Sequence, residues 1–230
     1  MNDADNDTNT VTMAQSIRKA SIGLAIFALF TAGIIAVTQT MTAPAIVINE
    51  KAFEARLLLS LLPPETQADD ILDSAQPFQA AGIENTLLLN VEPEQVFYQV
   101  VNEHNQVESI ILPVIAPDGY TEGIRLIVGM TNQGIITGVR VTKHKETPGL
   151  GDQIELEKSQ WILNFDQSSL MNPMETGWKV KKDGGAFDQM TGATITPRAI
   201  VKAVYKALLF FEQQQSLLLT PKVTTEEANA

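Results

Sequence analysis

The run Ala20–Val37, ASIGLAIFALFTAGIIAV, carries no charge, and nothing else in the chain restricts its fold as strongly. At 1.5 Å rise per residue a helix of this run covers roughly 27 Å, close to the hydrocarbon thickness of a bilayer. It is apolar on every face, which argues against a helix buried in a soluble domain. Arg18 and Lys19 precede it, and the next basic residue is Lys51. The positive-inside rule then predicts a cytoplasmic N-terminus with the bulk of the chain across the membrane. Asp3, Asp5 and Asp7 do not reverse this, because acidic residues carry little weight in that rule. Ala43-Pro44-Ala45 offers a rival reading, the small-residue cleavage site of a signal peptide. The apolar run is longer than a usual signal core and follows a long acidic segment, which favours an uncleaved anchor. The expected organisation is a disordered cytoplasmic tail over 1–17, an anchor over 18–40, one domain over 41–220 and a flexible tail over 221–230.

Beyond the anchor, Phe53, Leu57 and Leu61 form a helical stripe within 49–62 that stops before Pro63-Pro64. Residues 65–85 are polar and read as irregular. Two hairpins follow: 96–101 with 107–115, and 123–130 with 135–142. A short helix is expected over 155–165, a strand over 178–181 and a closing helix over 197–215. The fold class is therefore α+β, with an antiparallel sheet and flanking helices in one domain. A 230-residue chain with 44% hydrophobic content can bury one sizeable core. The net charge of -11 argues against a nucleic-acid surface, which needs a basic stripe. With no cysteine the chain has no disulfide, thiolate metal site or iron–sulfur ligation, and two histidines make no metal set. No G-x-G-x-x-G follows a strand and no P-loop occurs, so binding of NAD or ATP by this chain is not expected.

The segment Asp188-Gln189-Met190-Thr191-Gly192-Ala193-Thr194-Ile195-Thr196-Pro197-Arg198 is the chemically suggestive one. It places three hydroxyls and two small residues in a turn and then opens a helix. Thr196 reads as the N-cap and Pro197 as the first helical residue. A helix start has free N–H groups and a partial positive charge that favour a phosphate, and Gly192 and Ala193 would let it approach closely. Spacing alone leaves a plain helix-capping loop open beside this phosphate seat. Likewise His144-Lys145-Glu146-Thr147-Pro148-Gly149-Leu150-Gly151-Asp152 reads by spacing as an ordinary Pro-Gly turn.

Asp188-x-x-Thr191-Gly192-Ala193-Thr194 resembles the attachment motif of the covalent-FMN family. The lead-in from Trp178 to Phe187, together with the segment His144–Asp152, is similar to the G subunit of the Rnf electron-transport complex. The resemblance implies one N-terminal transmembrane helix followed by a periplasmic FMN-binding domain at the bacterial inner membrane. It implies FMN joined through its phosphate to Thr194, with Thr191, Gly192 and Ala193 shaping the seat. It makes Glu146, Thr147, Gly149 and Leu150 neighbours of the isoalloxazine ring, and Asp188 a recognition or turn-holding residue. A separate Mg²⁺-dependent flavin transferase would attach the flavin from FAD. The chain would relay electrons among other subunits of a complex coupling ferredoxin/NAD electron transfer to ion translocation, with no turnover alone. The C subunit of the Na⁺-translocating NADH:quinone reductase is the related alternative. A non-redox membrane-anchored scaffold or phosphate-ligand module is the alternative of another class. Lys181 and Lys182 read equally as phosphate neighbours and as a solvated strand end. His144 reads as a loop-orienting residue, and Trp161, Phe210 and Phe211 as core. The turn Gly119-Tyr120-Thr121-Glu122-Gly123 departs from the family pattern at Glu122, and no contact is assigned to it.

Overall fold

A computed structural model describes residues 13–62 and 68–222. Of the tails expected over 1–17 and 221–230, residues 1–12 and 223–230 lie outside the described residues, as does the Pro63-Pro64 stop, while residues 13–17 are helical rather than disordered. The chain divides into two compact units, Met1–Ala52 and Phe53–Ala230. Among its described residues the first consists of helix α1 (Met13–Leu59), whose last residues belong to the second unit. Its side chains in the apolar run are exposed, and it is long and apolar enough to cross a membrane by length and composition. The stripe expected as a separate helix over 49–62 is the continuation of α1, which passes through Pro44 without a break.

In the second unit a short α2 (Ala68–Asp73) precedes five antiparallel strands. These are β1 (Gln76–Pro77), β2 (Val96–Val101), β3 (Val107–Ala116), β4 (Ile124–Thr131) and β5 (Ile136–Lys143), paired in chain order. Each hairpin follows its own alternation, because a period of two sends successive side chains to opposite faces. Ile110, Leu112 and Val114 of β3 and Ile124, Leu126 and Val128 of β4 belong to the main core, which also takes in the apolar face of α3 (Ile195–Leu218). Ile111 and Ile127 face the other way and pack with Leu58, Leu61, Ile71 and Tyr98. Both faces of the sheet are therefore covered, one by α3 and the other by the end of α1 and by α2.

The connection from β5 to α3 departs from expectation. Of the helix expected over 155–165 only the 3₁₀ turn Gln160–Phe165 forms, capped by Ser159 accepting from the Trp161 N–H; another 3₁₀ turn, Gly151–Ile154, precedes the span. The strand expected over 178–181 is absent; 3₁₀ turns Glu175–Gly177 and Lys181–Asp183 stand at its ends, and backbone hydrogen bonds with 185–187 amount to one bridge, between Val180 and Phe187. The alternation at Trp178 and Val180 is real, since both are buried, but no neighbouring strand pairs with it. The connection instead supplies an aromatic cluster. Phe165 stacks on Phe187 at 4.8 Å, and Trp178 lies 4.9 Å from Phe187 and 5.6 Å from Tyr205.

Candidate functional site

The turn Met190–Ala193 closes by an Ala193 N–H bond to the Met190 carbonyl at 3.4 Å. Gly192 has φ +83°, a conformation that other L residues rarely adopt. A Cβ there would also lie 2.8 Å from the Leu150 Cδ2. The two sequence motifs thus meet at Leu150 and Gly192. Thr194 follows as the N-cap of α3, with no side-chain capping bond and an exposed side chain. Its hydroxyl stands beside a helix start whose first-turn N–H groups lack intrahelical partners. Pro197 falls third in the helix rather than first, where its missing N–H still costs nothing.

Thr196 is not the cap. It is 1% exposed, and its hydroxyl donates a short hydrogen bond to the Glu146 carboxylate. Capping is a local preference, and a buried carboxylate needing donors outcompetes it. Glu146 is itself 5% exposed and accepts from the Tyr120 N–H at 2.9 Å. It therefore ties the 119–123 turn, its own loop and the start of α3 into one body. Two glycines make room for it: a Cβ on Gly151 would sit 2.8 Å from Oε2, and one on Gly119 would sit 3.2 Å from Oε1. Its own N–H donates to His144 Nδ1 at 3.0 Å, which leaves Nε2–H to donate to Glu155 at 2.7 Å. His144 orients the loop in this way. Within the loop, the Thr147 carbonyl accepts from the Leu150 and Gly151 N–H groups, and Gly149 has φ +77°. Thr147 and Gly149 are exposed, and no hydrogen bond joins them to the 190–194 turn among the described residues.

Asp188 and Thr191 border an open cleft of about 520 Å³ whose other walls include Gln153, Gln160, Trp161 and Asn164. Trp161 is core, and its Nε1 also donates to the Asp188 carbonyl at 2.7 Å. The Asp188 carboxylate pairs with Lys181 at 2.5 Å, so the Lys181 charge is already met by a carboxylate. Lys182 is exposed. Arg198 grips Asp183 through Nε at 2.6 Å and Nη2 at 2.8 Å. That hydrogen bond holds the Asp183 carboxyl below its usual range. Arg198 Nη1 also reaches the Thr194 carbonyl at 3.5 Å, so the guanidinium adds to the positive field of the helix start. Sequence reasoning singles out the 119–123 turn without assigning it a contact, and misses Gln153, Gln160 and Asn164. The 119–123 turn carries a local signal of its own, whereas the three carboxamides carry none.

The residues fit a phosphate-bearing group at this turn: an exposed alcohol, a left-handed glycine and an open helix start occur together. Residues 119–209 match the FMN-binding domain family model, and residues 13–61 match the RnfG N-terminal region. The G subunit of the ion-translocating oxidoreductase complex of Pseudomonas aeruginosa strain UCBPP-PA14 is 45% identical over 208 residues, spanning 90% of this chain and 94% of that protein. The corresponding G subunit from Vibrio cholerae serotype O1 strain ATCC 39541 is 40% identical over 217 residues, spanning 90% and 95%. Among solved structures, that of Shewanella oneidensis NqrC is 18% identical, with a TM-score of 0.45 over 67% of this chain and 74% of that one. With relatives this similar matched nearly end to end, the chain belongs to the family of G subunits of ion-translocating oxidoreductase complexes.

Proposed function

We propose that this chain is the membrane-anchored flavin subunit of such a complex, carrying FMN as a phosphoester on the Thr194 oxygen. The observation that carries the reading is the uncommitted, exposed Thr194 hydroxyl at the start of α3, inside the matched FMN-binding region. Gly192 and Ala193 give the phosphate access to backbone, and the α3 start favours its charge. Leu150, packed on Gly192, and Thr147 on the same turn border the flavin, while Glu146 holds the turn in place. When bound, FMN supplies one- and two-electron redox chemistry, and the surrounding hydrogen bonds and charge set its potential.

Attachment requires an outside catalyst. A threonine alcohol attacks a phosphoanhydride only with a base and a metal to organise the phosphates. No group of three or more metal-ligating side chains occurs among the described residues. A separate Mg²⁺-dependent flavin transferase fulfils this role. The Thr194 Oγ–P bond forms, the P–O–P bond of FAD breaks, AMP leaves, and the alcohol proton passes to the transferase's base. Asp188, held by Lys181 and Trp161, serves that enzyme's recognition of the turn. The domain lies in the periplasm, across the inner membrane from Arg18 and Lys19.

A denaturing gel of the native complex under ultraviolet light tests this. A fluorescent band at the mass of this chain is expected, lost in Thr194→Ala and retained in Thr196→Ala. A dark wild-type band from active complex would mean a scaffold without covalent flavin.

A further inference from the structure

A second concavity, of about 460 Å³, lies beside the first half of α3 and takes in none of the 188–194 turn. Its buried members are Trp178, Val180 and Val201, with Tyr205 half-buried. Its exposed members are Lys179, Asp183, Arg198 and Lys202, and Lys206 follows one helical turn after Lys202. These cations share the region with Asp183, with Asp118 beside Lys202, and with Glu175 and Glu212 near Tyr205. Arg198 and Lys202 are met by Asp183 and Asp118, at 2.6 Å and 2.7 Å. The single Lys202–Asp118 contact is a weak surface pair, whereas both Asp183 oxygens hold Arg198. Lys179 and Lys206 form no ion pair among the described residues.

The apolar wall is braced from behind. Trp178 packs on Phe187, Phe187 on Phe165, and Phe165 on Trp161 at 5.5 Å. A rigid aromatic wall lowers the ordering cost of binding. Trp, Tyr and Arg at the centre of a patch with charges at its edge is the anatomy of a protein–protein hot spot. A concave site accepts a projecting side chain rather than a flat bilayer surface.

We propose that this groove docks another subunit of the same complex. The incoming segment places an apolar or aromatic side chain against Trp178 and Tyr205 and sets carboxylates against Lys179 and Lys206. The proposal rests on membership of a complex and is independent of the flavin linkage. The purified complex supplies the test, with Lys179→p-benzoylphenylalanine as a photo-crosslinker. The expected adduct is a segment of a different subunit in which Asp or Glu flanks an apolar residue. An adduct to phospholipid or to a second copy of this chain, or no adduct, overturns it. In parallel, Lys179→Glu with Lys206→Glu should weaken retention of this chain in the complex about tenfold near 0.15 M salt, while Lys143→Glu leaves it unchanged. Wild-type retention in the double variant, with thermal melting unaltered, equally overturns it. Thr194→Ala removes fluorescence but keeps the crosslink, so the flavin and docking proposals fail separately.

Discussion

Glu146 carries more of the site than any other single residue. A carboxylate this buried persists because two donors and the nearby start of α3 compensate its desolvation. Glu146→Ala leaves the Thr196 hydroxyl and the Tyr120 N–H without an acceptor, and should destabilise the full chain by about 2–3 kcal/mol in thermal or urea unfolding. Glu146→Gln keeps an acceptor and should lose less. Gly151→Ala should fall between them, because its Cβ meets the carboxylate rather than a flexible chain end. If Glu146→Ala melted like wild type, the strut role would be wrong. The resemblance singled out Glu146 as a neighbour of the ring; the fold makes it a fastening for three segments. Thr196 was legible as a hydroxyl near a helix start, but not as Glu146's donor, since that partner lies fifty positions away.

Among the elements, the sheet was legible and the β5–α3 connection was not. Strands β2 to β5 are apolar, β-branched runs buried at successive positions because both sheet faces are covered, and short turns join β2 to β3 and β4 to β5, so local pattern and tertiary pairing agree. The 178–181 stretch alternates but meets 185–187 through a single bridge rather than a strand ladder, and alternation reports burial rather than extended pairing. The end of α1 meets the sheet at Tyr98, whose hydroxyl donates to Glu54 at 2.7 Å. Burial, then the Glu54 hydrogen bond and charge, push the phenol above its ordinary value of 10.0. The folded state thus holds this proton more tightly than the unfolded chain. The resulting stability is present below about pH 10 and is lost as pH rises beyond it. Tyr98→Phe should cost about 1 kcal/mol at neutral pH and flatten the alkaline decline of the melting temperature. An equally steep decline in the variant would remove Tyr98 as its source.

At the scale of the molecule, one apolar helix and one α+β domain define what the chain can do. The charge asymmetry around Ala20–Val37 sets the expected orientation. Because the chain has no cysteine, single replacements report it directly. In intact spheroplasts Gln133→Cys should react with a membrane-impermeant maleimide, whereas Asn6→Cys should react only after lysis. The reverse pattern would invert the assigned topology. The sequence by itself determined the anchor, the alternating hairpins and the threonine turn, because each is a property of contiguous residues: a long uncharged run, a period of two, a glycine followed by a helix start. Only the tertiary structure decided that Leu150 packs on Gly192, that Glu146 binds Thr196, and that Trp178 and Tyr205 share a groove with Arg198 and Lys202. Those contacts join segments far apart in the chain, and long-range packing chooses among several local arrangements that each satisfy the same pattern.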